Sequence, residues 1–484
     1  MTNTIPFHDV KKDAIVINRV IQGRLPSVTE DARMSLIRAL CSLMVQCWSI
    51  NPEKRPSAEE CRKSISWMPM IVPATTRTMD EVASQLRRAQ LINQLGNMYR
   101  RQSDYVSAVS CFGEALDIYT DHNDPNGRAE TLFNLADVHR FRNELAEATK
   151  LYSEALKIYT DNSRETDRAR ALWGLATAYR LQGESDEAAK LYSEALKIYT
   201  DIGSKRQIAS TLWGLGEVHR SRSEYSEARN LFSEALAIFT DVSDNREKAL
   251  TLWSLAEMHR DQYEYSEAIN LFSEALQIYT DVGDRREKAL TLCGLAKVHQ
   301  FQQEYAKSIP LYSEALDIFS SFGDRGEVAT ALWNLAQMHR FQQDHSSARK
   351  LYSDSLQIYI DIGDRAGRGA ALWGLAELHR AFHEDNDATE LYSEALQIFT
   401  DIGDKNWRAE TLMSLAIHNK ERGQFDEAIS LFTDASGMFK EAGDTRRASD
   451  ALETAENLRK TRADGAAESA ATTNIRDGLL LKQA

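Results

Sequence analysis

Proline is nearly missing from most of this chain. Of its 484 residues 8 are proline, and only Pro125 and Pro310 fall between residues 86 and 460. A stretch of that length without its main helix breaker can be helical throughout. Cysteine is also sparse. The 5 cysteines (Cys41, Cys47, Cys61, Cys111 and Cys293) stand at no metal-binding or disulfide spacing. They read as reduced thiols, and no metal or cofactor is expected. No apolar run approaches the ~18 residues of a membrane span, and the opening MTNTIPFHDVKKD has no signal-peptide core. A basic excess is missing too. The formal net charge is −14, which argues against nucleic acid or an anionic membrane surface as partner. A cytoplasmic protein is expected, with the nucleus left open.

What the chain has in abundance is one unit, repeated. The decapeptides ALWGLATAYR, TLWGLGEVHR, TLWSLAEMHR and ALWGLAELHR begin at residues 171, 211, 251 and 371. A second element follows each: LYSEALKIYT at 191, LFSEALAIFT at 231, LFSEALQIYT at 271 and LYSEALQIFT at 391. The period holds at forty from about residue 86 to 440, giving nine units and a tenth first element at 446–460. Each unit reads as two helices. Leu172, Leu175, Ala176 and Tyr179 share one helical face, as do Ala188, Leu191, Tyr192, Ala195 and Leu196. Gly203, Gly283 and Gly403 suit the left-handed residue that closes a helix, and the Asp that follows in most units suits the cap of the next.

The pattern L-x-x-L-[GA]-x-x-[YH] followed by A-x-x-x-[FY]-x-x-A-L resembles the tetratricopeptide repeat over roughly three quarters of the chain, with a forty-residue period in place of thirty-four. The extra residues sit in the TDxGD link. Longer repeats of this kind resemble those of kinesin light chains and other adaptors. The resemblance implies an all-α, superhelical solenoid of antiparallel helix pairs over residues 86–460. It also implies that the first helix of each pair lines the concave surface. His139, His219, His259, His299, His339 and His379 take the family's usual Tyr position. Equivalent atoms in successive repeats lie on the order of 10 Å apart, too far for one metal ion at bonds of ~2 Å to join.

One residue past the core leucine stand Phe133, Trp173, Trp213, Trp253, Trp333 and Trp373. Four residues on come Asp137, Glu217, Glu257 and Glu377. Seven on come Arg140, Arg180, Arg220, Arg260, Arg340 and Arg380. These spacings place aromatic, acid and guanidinium on one stripe of the first helix. Trp and Arg are common anchors in protein interfaces, so the stripe is a candidate peptide-binding groove. The same residues also suit stacking between repeats, with Trp wedged between first helices and Arg paired to the acid three residues before it. By resemblance, Asn134 and Asn334 match an Asn that holds peptide backbone in long-period adaptor repeats; Gln94, Gly174, Gly214 and Ser254 fill that position elsewhere.

The first 72 residues differ. IPFHDVKKDAIVINRVIQGRLP (5–26), ARMSLIRALCSLMVQCW (32–48) and NPEKRPSAEECRKSISWMP (51–69) resemble the end of a protein kinase C-lobe, nearest to tyrosine-kinase-like kinases fused to such repeats in fungi. Trp48, Arg55 and Pro56 are the matching structural residues. The segment carries no HRD, DFG or APE, and phosphoryl transfer needs those groups. The sequence therefore reads as a kinase-like remnant (1–72), a linker (73–85), the solenoid (86–460) and a polar tail (461–484) expected to be disordered. Three readings follow. The first is a non-catalytic scaffold that binds a protein or peptide on its concave surface. The second is the C-terminal portion of a repeat-fused kinase whose catalytic part is missing from this chain. The third is a self-associating structural scaffold. The oligomeric state stays open.

Overall fold

The computed structural model describes residues 81–480. The kinase-like segment, with Trp48, Arg55 and Pro56, and the linker as far as residue 80 lie outside the described residues. Every element within them is a helix, nineteen in all. They divide into two compact units at Asp284/Arg285. The first unit holds α1 (Glu81–Arg101), α2 (Tyr105–Asp121), α3 (Pro125–Phe141), α4 (Leu145–Asp161), α5 (Glu165–Gln182), α6 (Ser185–Ile202), α7 (Lys205–Ser221), α8 (Tyr225–Asp241), α9 (Asn245–Asp261) and α10 (Tyr265–Asp281). The second holds α11 (Arg285–Phe301), α12 (Tyr305–Phe322), α13 (Arg325–Phe341), α14 (His345–Ile362), α15 (Arg365–Ala381), α16 (Asp385–Ile402), α17 (Lys405–Glu421), α18 (Phe425–Glu441) and α19 (Thr445–Leu480). Odd-numbered helices are the first of each pair, and even-numbered helices are the second. The all-α repeat architecture and the forty-residue period agree with the sequence.

The helix ends follow local chemistry. Gly203, Gly283 and Gly403 have φ of 74°, 71° and 74°, the left-handed geometry that costs a glycine nothing. Asp364 and Asp404 cap α15 and α17, accepting from the backbone N–H of Gly367 and Trp407 at 3.0 Å each. The turn inside each pair uses the same left-handed residue, but there Tyr263 and Gln343 occupy it, both at φ 63°.

The core is built across pairs. Ala176, Ala188, Tyr192, Leu215 and Val218 form one cluster drawn from α5, α6 and α7, so no repeat buries its apolar face alone. Each fully buried aromatic such as Tyr192 is worth roughly 2–3 kcal/mol of transfer free energy. Close approach needs a missing side chain: a Cβ on Gly214 of α7 would stand 2.7 Å from the Tyr192 ring. That is why the second helix can offer a large aromatic to the next first helix.

The final helix runs on to Leu480, whereas the sequence suggests a disordered tail from residue 461. Ala463, Ala466, Ala467, Ala470 and Ala471 have high intrinsic helix propensity and favour continuation. The tripeptide His259-Arg260-Asp261 sits in the last turn of α9, where Arg260 pairs with Asp261 at 2.9 Å. It belongs to the repeat, not to a kinase catalytic loop.

Candidate protein-binding site on the first helices

The stripe residues lie on the odd-numbered helices as expected, but the structure buries more of them than the sequence reading implies. Glu217, Glu257 and Glu377 are 6–8% exposed, and Phe133 and Trp373 are 7% and 8% exposed. Within each unit, first helices such as α7 and α9 or α13 and α15 stand side by side, so one covers the flank of the next.

The tryptophans act as wedges. Trp213 donates its indole N–H to Ser254 Oγ at 2.9 Å, and Trp373 donates to Ser414 Oγ at 3.0 Å, in each case one repeat ahead. Trp333 donates to the Ala370 carbonyl at 3.0 Å. Trp173 meets Tyr192 edge-on at 6.5 Å and Trp253 meets Phe272 at 6.3 Å. Phe133 meets Tyr152 at 5.4 Å. Asn134 is buried and donates to Asn93 Oδ1 at 3.2 Å, while Asn334 donates to the Thr330 carbonyl of its own helix at 2.9 Å. Each amide thus has one N–H engaged within the protein, and Asn334 is half-buried.

The charges form a ladder. Asp137 receives Arg100 at 3.0 Å, Arg140 at 3.1 Å and the Tyr152 hydroxyl at 2.5 Å. Arg220 bridges Glu217 at 3.0 Å and Asp261 at 2.9 Å, and Arg260 is held by Glu257 and Asp261. In the second unit Glu377 receives Arg340 at 3.1 Å, Arg380 at 3.0 Å and the Tyr392 hydroxyl at 2.6 Å. Arg380 also reaches Glu421 at 2.8 Å. Burial alone raises the Glu377 carboxyl, but the two guanidinium charges and the hydroxyl outweigh it and hold the group below its ordinary value.

The same surface hollows into a cavity of about 580 Å³ within the second unit, lined from four successive first helices. Gln337, Arg340 and Phe341 come from α13, and Trp373, Glu377 and Arg380 from α15. Asn406, Trp407, Glu410, Ser414 and Ile417 come from α17, and Arg447 from α19. Its floor is aromatic: Trp407 stands edge-on to Trp333 at 5.9 Å and to Trp373 at 5.7 Å, and it stacks on Phe399 at 5.3 Å. Burial pushes the Glu410 carboxyl up. Arg447, 2.6 Å away, opposes that, and Glu377 adds to it.

Sequence reasoning missed Trp407, Glu410 and Arg447. The signal was available for Trp407: at the same register other repeats carry Gly127, Asp167, Gln207, Glu247, Glu287, Glu327 and Gly367. A lone Trp in that column breaks the pattern. The acids behind the histidine ladder were missed as well. His139, His219, His259, His299 and His379 each face a Glu five residues on through Nδ1, and His339 faces Asp344. Asp387 brings a third group near His379 and Glu384, all within 4.8 Å. Because the His–acid pair recurs without that third group, it reads as a turn contact.

The family model for the tetratricopeptide repeat matches residues 87–161, 167–241, 207–281, 247–320, 287–361 and 367–441. No curated protein matches the chain. Among solved structures, the apo form of RapI is 19% identical with a TM-score of 0.46, over 57% of this chain and 98% of that one. A signal-transduction ATPase from Pyrococcus horikoshii with a tetratricopeptide repeat sensor is 14% identical with a TM-score of 0.47, over 94% and 66%. A putative kinesin light chain repeat protein from Podosopora anserina is 18% identical with a TM-score of 0.35, over 40% and 96%. These scores carry no functional argument. No helix among the described residues is long and apolar enough to cross a membrane. The matched segments cover most of the chain, which belongs to the tetratricopeptide-repeat family.

Proposed function

We propose that this chain is a non-catalytic interaction module that holds an extended protein segment on the first helices of its second unit. The observation that carries this reading is the 580 Å³ cavity of α13, α15, α17 and α19. A hollow of that size takes one or two anchor side chains. Its floor of Trp373 and Trp407 supplies apolar area, and its rim of Asn406, Arg340 and Arg447 supplies donors. The guanidinium groups are positioned by Glu377 and Glu410, so little ordering entropy remains to be lost on binding.

The tryptophans themselves are poor test positions, because Trp373 is a buried wedge bonded to Ser414. Phe341, 41% exposed, and Ile417 line the cavity without a hydrogen bond of that kind. Phe341 stacks on Tyr305 at 5.3 Å and Ile417 packs beside Phe432, so a thermal midpoint must accompany the test. Panning a random dodecapeptide library on the full chain should enrich a common sequence, and Phe341→Ser with Ile417→Lys should abolish that enrichment while helicity is kept. Equal enrichment on the double variant would place binding elsewhere. The reading of this chain as part of a repeat-fused kinase, or as a self-associating scaffold, draws no support from a described residue.

A further inference from the structure

The arginine ladder has one open rung. Arg100, Arg140, Arg220, Arg260, Arg340 and Arg380 each hold a carboxylate. Arg180 of α5 holds none among the described residues. Its guanidinium lies 5.6 Å over the Trp213 ring. Its Nε is buried without an acceptor, as are those of Arg100, Arg220, Arg340 and Arg380, so what sets Arg180 apart is the missing carboxylate alone. The cause is in the sequence. Three residues before Arg140, Arg220, Arg260 and Arg380 stands an acid, whereas Arg180 has Thr177. That hydroxyl is already engaged with the Trp173 carbonyl at 2.8 Å and the Tyr192 hydroxyl at 2.9 Å. Glu217, at the register that serves Arg100 and Arg340 from the next repeat, binds Arg220 through one oxygen, while its Oε1 is buried without a donor and does not reach Arg180. On the same helix the Trp173 indole N–H is also buried without an acceptor, as is that of Trp253, since positions 214 and 294 are glycines where Trp213 and Trp373 find a serine.

We infer that Arg180 docks an aspartate or glutamate side chain of a captured protein segment. The carboxylate would pair with the Arg180 guanidinium from the solvent side, since Thr177 fills the place of the acid within the repeat, with the Trp213 ring holding the guanidinium extended. Side-chain carboxylates fill every equivalent rung, and this favours an internal acidic residue over a chain terminus. A chain of net charge −14 repels acidic segments at long range, so their capture needs a fixed cation of this kind. The inference rests on the proposal that first helices bind protein segments, and it extends that reading to the first unit.

Thr177→Glu provides the test, because it restores the ladder from within. The Tyr bonded to Asp137 and to Glu377 has its counterpart in Tyr192, so the new carboxylate meets a prepared site and the variant should fold. The probe is a random dodecapeptide library, acetylated and amidated, panned on the full chain, on T177E and on Arg180→Gln. The expected result is a motif with one fixed acidic position on the unmodified chain. A peptide bearing it should bind both variants roughly tenfold to a hundredfold more weakly, with Arg180→Lys retaining part of the affinity. A motif without an acidic position, or equal binding to R180Q, overturns the inference and leaves the proposed function standing. Binding only by peptides with a free C-terminal carboxylate also overturns it. No enrichment on any form removes both proposals.

Discussion

Tyr392 donates its hydroxyl to Glu377 at 2.6 Å, from the second helix of a repeat to the first. That bond, with Arg340 and Arg380 on the same carboxylate, makes Glu377 the best-held charge of the cavity. Glu410 on the opposite wall has only Arg447. The two carboxyls therefore titrate in opposite senses. Glu377 lies below its ordinary value of 4.5, so its charge stabilises the fold above that pH, and the contribution fades as pH falls through the folded value. Glu410 lies above 4.5, so its penalty to folding begins as pH rises past 4.5, where the unfolded group ionises, and is complete above its folded value. Urea denaturation at pH 7 should show Glu377→Gln destabilised by about 2–3 kcal/mol, since it weakens a buried network from one side. Glu410→Gln should be neutral or slightly stabilised. As pH falls below 4.5 the gap between Glu377→Gln and the parent chain should narrow, because the stabilising charge is progressively lost.

Gly214 exists for Tyr192. A Cβ there would come within 2.7 Å of a fully buried ring that has no room to retreat. Gly214→Ala should cost about 1–3 kcal/mol despite the higher helix propensity of alanine, measured as a lowered thermal midpoint.

Tyr263 sits at φ 63° and is 70% exposed. A side chain in the left-handed region costs roughly 1 kcal/mol, and an exposed ring recovers little of it. Tyr263→Gly should raise stability by up to about 1 kcal/mol, read from the urea midpoint.

Cys293 replaces the tryptophan of its register and packs beside Ala296 and Tyr312. Burial, with Glu327 adding, pushes its thiol up to about 12 from 9.0. The thiolate fraction at pH 8 is then roughly a thousandfold lower than for an open thiol. Alkylation by iodoacetamide should leave Cys293 unmodified in the folded protein and label it in urea, as mass spectrometry would report.

The repeats were legible because periodicity and turn chemistry repeat the same message nine times. Gly203, Gly283 and Gly403 and the Asp caps were read directly. The burial of Glu217 and Glu377 was not, because it depends on how closely two first helices stand, and no single helix encodes that distance. The stripe spacing was right, yet Trp373 and Asn134 turned out to be bonded within the protein. Trp407 was visible only as a break in its column. The open rung at Arg180 needed both Thr177 and the structure, since sequence alone does not tell which acid reaches which guanidinium.

The central claim is that a protein segment lies in the first-helix cavity. Asn406 is exposed at its rim, and Ser393 is exposed on a second helix. Placing a benzoylphenylalanine crosslinker at either position of the full chain and irradiating it with the library-selected peptide tests the claim directly. Crosslinking at position 406 and not at 393 is the predicted result. Crosslinking at 393 with none at 406 would contradict it.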